Sequence, residues 1–353
     1  MRDLLRHFRM PILFALGCLA LGAWYGWAMS HTLAGMGGVL WIVAVLSVLE
    51  ISLSFDNAVV NATVLQEMDP LWQKRFLTWG MVIAVYGMYV VFPLAIVAIA
   101  AGLGPVEAIR LSLTDPAAYE RIVASAHTGI AGFGGTFLGL VGLKFFFNKD
   151  KEVHWIAAVE YWAARFSALP ALEIVVVLLA LWLASTQLEP AAARTLLTAG
   201  LFGVIAFVIV EGFGKILSHR DERLKAAGAV VRRGLGAFIY LNVLDASFSF
   251  DGVIGAFALS NNMVVIALGL STGAMFVRSL TLLLVKKGTL AEYRYLEHGA
   301  FWAILALAAI MLASARYDVP EALTGLIGAT LIAVALGWSV RYRRRQQAAV
   351  PAG

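Results

Sequence analysis

The sequence has very little charge and almost no cysteine. Only 14% of its 353 residues are charged, against about 25% in a typical soluble domain. Cys18 is its only cysteine, which excludes an intramolecular disulfide and a cysteine-rich metal cage. Any metal must therefore be held by oxygen or imidazole. The net charge of +5 comes from bases placed between apolar segments and not from a basic face, so nucleic acid is not an expected partner.

The sequence is instead rich in long apolar segments. Hydrophobic residues make up 61% of the chain and the mean hydropathy is +0.83, which is typical of a polytopic, all-α membrane protein in contact with the lipid bilayer. Apolar windows of membrane length predict about ten transmembrane helices. Their ranges are 11–29, 37–63, 77–102, 127–147, 170–186, 195–217, 234–258, 262–285, 299–315 and 320–340.

The basic residues predict the orientation of these helices. With the N-terminus inside, 21 Lys and Arg fall on the inner side and 4 on the outer side. Positively charged loops stay in the cytoplasm. We therefore expect a multi-pass protein of the cell (cytoplasmic) membrane with both termini cytoplasmic.

An acidic motif occurs twice. Leu49 to Asp56 reads LEISLSFD, and Leu244 to Asp251 reads LDASFSFD. The predicted topology runs the two copies in opposite directions, which predicts an inverted repeat of helix triplets with a site where the halves meet. The expected organisation is a single transmembrane domain, 1–353, made of a first repeat 37–147, a connector with two helices 148–233, a second repeat 234–315, and a last helix with a basic tail 316–353.

Helix geometry limits how each copy can work. The two carboxylates of a copy are six residues apart, about 600° of rotation and about 9 Å of rise on a regular helix. One straight helix cannot aim both at one ion. Either the helix is broken at the Ser-x-Ser segment, or each carboxylate meets a counterpart from the other copy. The serines favour local unwinding, because their hydroxyls compete for backbone partners.

Acids at membrane depth cost on the order of 2.5 to 3.5 kcal/mol each, so four of them need a cation or protons. We predict a metal site formed by Glu50, Asp56, Asp245 and Asp251. The auxiliary ligands expected from the same segments are Ser52, Ser54, Asn57, Ser247 and Ser249. This all-oxygen set suits Mn²⁺, Mg²⁺ or Ca²⁺. Repulsion among four carboxylates further predicts that some are protonated when the ion is absent, which permits exchange of metal for protons.

The structural alternative is that the acids form ion pairs with buried bases and stabilise the fold without binding a substrate. Lys144 and Arg278 are available for such ion pairs, although two bases cannot neutralise four acids. His127 and His298 open two further helices, where they either gate or relay protons or serve as interfacial polar residues.

Enzymatic function has no support in the motifs. No HExxH segment is present, no Ser/His/Asp arrangement stands out, and no permanently bound cofactor is expected. The glycines between Gly132 and Gly142 follow no strand and lie in a membrane span, so they indicate close helix packing and not a nucleotide loop.

The two acidic motifs resemble those of the TerC family, named for tellurium resistance, in the LysE-type transporter superfamily. The resemblance covers roughly Gly37 to Ser314 and maps the family's acidic positions onto the four carboxylates; Gly252 stands where the family has a polar residue. It implies a secondary transporter that exports a divalent cation, Mn²⁺ first, with proton coupling possible. Two other functions stay open: export of an amino acid or other small solute, and a non-transporting scaffold in tellurite or stress resistance. The oligomeric state is left open.

Overall fold

The structure is a computed structural model. It describes residues 2–80, 82–148, 153–156, 158, 160, 161, 165, 171–226, 234–260, 262–287, 293–317 and 319–349. Within these ranges the side chains of some residues, including the predicted site residues Ser247 and Asp251, lie outside the description.

The described elements are helices. In chain order they are α1 (Arg2–Ser30), α2 (Leu33–Leu53), α3 (Phe55–Gln66), α4 (Pro70–Arg75), two π-helical segments (Phe76–Gly80 and Ile83–Val91), α5 (Phe92–Ala101), α6 (Pro105–Thr114), α7 (Pro116–Ser125), α8 (His127–Phe146), α9 (Leu172–Ser185), α10 (Pro190–Ala226), α11 (Leu235–Leu259), α12 (Met263–Lys287), α13 (Leu296–Ser314) and α14 (Glu321–Ala349).

Among the described residues, seven helices are long and apolar enough to cross a membrane. They are Phe8–Ser30, Leu33–Leu53, His127–Phe146, Pro190–Gly212, Met263–Val285, Leu296–Ser314 and Leu323–Arg345. Each overlaps a predicted span, so the prediction of a polytopic α-helical membrane protein is confirmed. The other three predicted spans overlap shorter apolar helices, Tyr89–Ala98, Leu172–Ser185 and Leu235–Ala246. The structure therefore supports seven spans, and the count of ten stays a prediction.

The two copies of the acidic motif fold differently. In the first copy, α2 ends at Leu53 and α3 begins at Phe55, with Ser54 between them at φ −98° and ψ 13°. The break that the Ser-x-Ser segment predicts is therefore confirmed in this copy. In the second copy, α11 is one continuous helix from Leu235 to Leu259, so the same expectation is wrong there.

Two apolar cores hold the bundle together. The first joins α3, α8, α11 and α13, and the second joins α2, α7, α11 and α12. Helix α11 contributes to both, with Leu244 and Phe248 in the first and Val253 and Phe257 in the second. The acidic segment of α11 is therefore flanked by both cores.

The glycines of α8 allow close helix approach, as the sequence predicts. A Cβ at Gly132 would lie 2.6 Å from the carbonyl oxygen of Leu196 on α10, and one at Gly142 would lie 2.5 Å from the Leu305 side chain on α13. Real Cβ atoms do not approach other heavy atoms this closely. These positions consequently fix the distance between α8 and its neighbours.

We expect Gly132→Val to lower the free energy of unfolding by about 1–3 kcal/mol, because the new side chain forces α8 and α10 apart. Gly337→Val on α14 is the matched control, since a Cβ there meets nothing within 4 Å. Thermal unfolding of the purified protein in detergent measures both. Equal midpoints for the two variants would contradict the close packing described here.

Candidate functional site

Three of the four predicted carboxylates are described, and they come from both motif copies. Glu50 lies in the last turn of α2 and Asp56 in the first turn of α3, in residues that are only 2% and 5% exposed. Asp245 lies within α11. Glu50 interacts electrostatically with both Asp56 and Asp245. The break at Ser54 and the packing of α11 thus bring acids of the two copies together.

Glu50 is held by two hydroxyl groups. Ser54 Oγ donates to Glu50 Oε1 at 2.6 Å, and Tyr89 Oη donates to the same oxygen at 2.8 Å. The first bond spans the helix break, and the second comes from the π-helical segment Ile83–Val91. Two short donors on one oxygen fix the carboxylate and partly replace its lost hydration.

Close backbone approach surrounds Glu50 on its remaining sides. A Cβ at Gly273 of α12 would lie 2.5 Å from Glu50 Cβ, and one at Gly252 of α11 would lie 3.1 Å from Glu50 Oε2. Glycine at both positions lets α11 and α12 close on the acid.

Asp245 is held by two carboxamides of α3. Asn57 Nδ2 and Asn61 Nδ2 both donate to Asp245 Oδ1, the latter at 3.2 Å. The two asparagines are four residues apart and therefore lie on one face of α3. This pair of hydrogen bonds joins the first motif copy to the second.

Asp56 opens towards a small cavity. Its Oδ1 accepts from the Asn57 backbone N–H at 2.9 Å. The cavity has a volume of about 20 Å³, enough for one water-sized species. Its lining residues are Leu53, Asp56, Phe248, Gly252, Ala303, Leu307, Thr324, Gly325 and Gly328.

The cluster is rich in oxygen atoms that lack hydrogen-bond donors. Asn57 Oδ1 and Asn61 Oδ1 are buried, and the described residues offer neither a partner. Buried amide oxygens are costly unless they are hydrogen-bonded or bind a cation. Together with the three carboxylates they form an all-oxygen environment of the kind that hard cations prefer.

The remaining predicted auxiliary residues divide between the cluster and other positions. Ser54 is part of the cluster, and Ser249 Oγ donates to the backbone oxygen of Asp245 at 2.8 Å. Ser52 is exposed and donates to Val48 O, so the structure does not bring it to the acids. The side chains of Ser247 and Asp251 lie outside the described part.

The candidate gating and ion-pair residues have the following described surroundings. Lys144 Nζ pairs with Glu211 Oε1 at 2.6 Å, which gives this base a partner other than the motif acids. Arg278 lies on α12 with a partly buried side chain. His127 Nε2 is 3.4 Å from Ser314 Oγ, and His298 Nε2 is 2.7 Å from Val153 O.

Sequence reasoning missed three contributors: Asn61, Tyr89 and Gly273. The spacing of Asn57 and Asn61 on one helix face was a usable signal. The sequence holds no comparable signal for Tyr89 or Gly273, because their proximity to Glu50 depends on how helices pack.

Within the described ranges, no three side chains of His, Cys, Asp or Glu converge closely enough to hold a metal ion. A cation at the cluster would therefore need the amide and hydroxyl oxygens as ligands, or Asp251.

A family model with the description "Protein of unknown function (DUF475)" matches residues 55–346. The match includes Asp56, Asp245 and Asp251, and Glu50 precedes it. No curated protein and no solved structure is significantly similar to the chain.

We expect Tyr89→Phe to destabilise the protein by about 1–3 kcal/mol, because a buried carboxylate oxygen loses a donor. Tyr86→Phe is the matched control, since Tyr86 lies in the same π-helical segment and is 59% exposed. Thermal unfolding of the two variants in one detergent gives the comparison. Identical shifts would argue against a structural bond between Tyr89 and Glu50.

Proposed function

The chain belongs to the DUF475 family, and we propose that it is a secondary transporter that exports a divalent metal cation from the cytoplasm. Mn²⁺ is the first candidate. The observation that carries the proposal is the cluster of buried Glu50 and Asp56 with half-buried Asp245 inside a multi-pass membrane protein. Ionisable groups inside membrane segments mark substrate or ion pathways far more often than they mark structural contacts.

The donor chemistry supports a hard cation. Carboxylate, carboxamide and hydroxyl oxygens surround the cluster, and two of the amide oxygens lack donors among the described residues. Hard divalent cations take such oxygen ligands, whereas softer ions favour thiolate or imidazole. Among hard ions, Mn²⁺ is preferred on the resemblance of both acidic motifs to the TerC family.

Proton exchange provides a driving mechanism. Three or four clustered carboxylates carry more negative charge than one divalent ion neutralises, so an empty site favours bound protons. Metal entry displaces these protons, and metal release restores them. Export is then coupled to protons, or proceeds down the cation's own gradient.

The proposed architecture is ten spans with an inverted repeat, 37–147 and 234–315. It is supported by the three shorter apolar helices at predicted spans and by the bias of basic residues. It places residues 148–169, the two ends of the connector-flanking spans at 217 and 234, and both termini on the cytoplasmic side of the cell membrane.

The two alternative functions have weaker support. An amino acid needs a larger pocket than the cavity of about 20 Å³ beside Asp56. A scaffold that uses the acids in structural ion pairs needs basic partners for them, and one of the two candidate bases, Lys144, pairs with Glu211. We propose no enzymatic activity.

Loss of a cluster carboxylate is expected to abolish transport. In proteoliposomes loaded with Mn²⁺, we expect Asp56→Asn, Asp245→Asn and Asp251→Asn each to lower flux at least about tenfold, since a charged oxygen ligand is lost. Asp115→Asn is the matched control. Asp115 is exposed, and asparagine can replace it as the N-cap residue of α7. Cells with and without the protein, challenged with Mn²⁺, provide the physiological measurement. Unchanged flux in all three variants, or unchanged cellular metal content across a range of metals, would overturn the proposal.

The topology can be tested on either side of α8. In a Cys18→Ser background, we expect Thr114→Cys to react with an impermeant maleimide in intact cells, and Asn148→Cys to react only after permeabilisation. Both positions are exposed. The opposite pattern would reverse the orientation, and labelling of both from one side would refute a span at α8.

A further inference from the structure

A second cluster of titratable side chains surrounds Glu160, on the segment that follows α8. Glu160 is 0% exposed. Its Oε2 accepts from the Trp155 backbone N–H and its Oε1 from the Ile156 backbone N–H, both at 3.2 Å. Trp302 Nε1 on α13 donates to Glu160 Oε1 at 3.3 Å. One buried carboxylate therefore folds the segment on itself and joins it to α13.

Two histidines converge on the same carboxylate oxygen. His154 Nδ1 lies 3.6 Å and His298 Nε2 lies 3.5 Å from Glu160 Oε2. His298 Nε2 also lies 2.7 Å from Val153 O. Because a carbonyl oxygen only accepts hydrogen bonds, this His298 nitrogen carries a hydrogen. Gain of a second proton by either ring would place a cation beside a buried carboxylate.

This geometry favours protons over a metal ion. A nitrogen that donates its hydrogen to Val153 O has no lone pair for a metal, so His298 Nε2 is not a ligand in this arrangement. The described residues also contain no convergent set of three metal-ligating side chains. The charge that this cluster can gain and lose is therefore carried by protons on imidazole.

Aromatic contacts tie the cluster to three helices. His298 contacts Phe145 of α8 at 5.2 Å between ring centroids, and Trp155 meets Trp338 of α14 at 6.1 Å. His154 contacts Tyr161 at 4.2 Å. The segment thus packs against α13 and α14, and His298 of α13 in turn contacts the last turn of α8. Glu160 is the central polar attachment of the segment.

We propose that Glu160, His154 and His298 form a proton-dependent latch that fastens the segment carrying His154 and Glu160 to the helical bundle. With the imidazoles protonated, opposite charges meet in a buried setting and the latch is closed. As pH rises and the imidazoles lose their protons, the attraction is lost while the buried carboxylate keeps its charge, and the latch opens. Imidazole is the side chain that ordinarily changes charge between about pH 5 and pH 8.

The other groups in contact with the cluster set its surroundings. Among the described residues, these titratable groups are Tyr161 on the segment and Tyr295, the N-cap residue of α13, whose ring lies 6.4 Å from that of His298. Helices α8 and α14 contribute Phe145 and Trp338, which do not titrate. The charged residues 149–152 lie outside the described part.

Hydrogen exchange of the full-length protein tests the latch directly, because Glu160 accepts from two backbone amides. After correction for intrinsic exchange rates, we expect the protection of the peptide containing Trp155 and Ile156 to fall on the order of tenfold between pH 6 and pH 8.5. A peptide from α8 provides the internal reference. Equal corrected protection at both pH values would overturn the proposal.

Two variants separate the latch from general packing. Glu160→Gln keeps an acceptor for the amides but removes the charge, so its protection should not depend on pH. His154→Gln leaves Glu160 in place and removes one of the two imidazoles, so it should weaken the pH dependence even if Glu160→Gln does not fold. Glu189→Gln, at an exposed glutamate, should behave like the parent. A parental pH response in either Glu160→Gln or His154→Gln would refute the latch. The measurement does not involve transport, so its outcome is independent of the proposed export activity.

Discussion

The burial of the Glu50 carboxylate in an apolar bundle is the constraint on which the rest of the site depends. A carboxylate removed from water requires donors at short range, and Ser54 and Tyr89 supply them to one oxygen. Both donors lie in irregular backbone. Ser54 lies at the break between α2 and α3, and Tyr89 lies on a π-helical segment. Glycine at 252 and 273 lets two further helices close on the same acid. The irregular backbone of this region is therefore explained by one buried polar group.

Much of the fold could be predicted from apolar length, because backbone groups in a membrane must be satisfied within each segment. Helices α8 and α13 lie close to their predicted spans for this reason. The predicted span 77–102 is not one regular α-helix, because it overlaps two π-helical segments before α5. Apolar composition does not distinguish hydrogen bonding to the fourth residue from bonding to the fifth. The choice depends on packing, here on the position of Tyr89 against Glu50.

The charged residues of the cluster could be predicted from the sequence more readily than its neutral polar residues. Glu50, Asp56 and Asp245 were evident because acids are rare in apolar segments. Asn61 and Tyr89 resemble any other polar residue in a sequence, and their roles depend on α11 and α2 lying beside them. The repeat itself was a partial guide. Both copies contain Ser-x-Ser, yet only the first is broken. Local sequence therefore permits the break, and tertiary packing decides whether it occurs.

This asymmetry between the copies has a mechanical consequence. Helix α11 is continuous and contributes to both apolar cores, so moving its acids would require repacking both. The first copy joins α2 to α3 through a single non-helical residue, and such a helix end absorbs a change of angle. Helix α3 contributes to the first core alone, so moving it would require repacking one core and not two. Asn57 and Asn61 lie just beyond that residue and hold Asp245. A small rotation of α3 about Ser54 would therefore change the hydrogen bonds from these amides to Asp245 while leaving α11 in place.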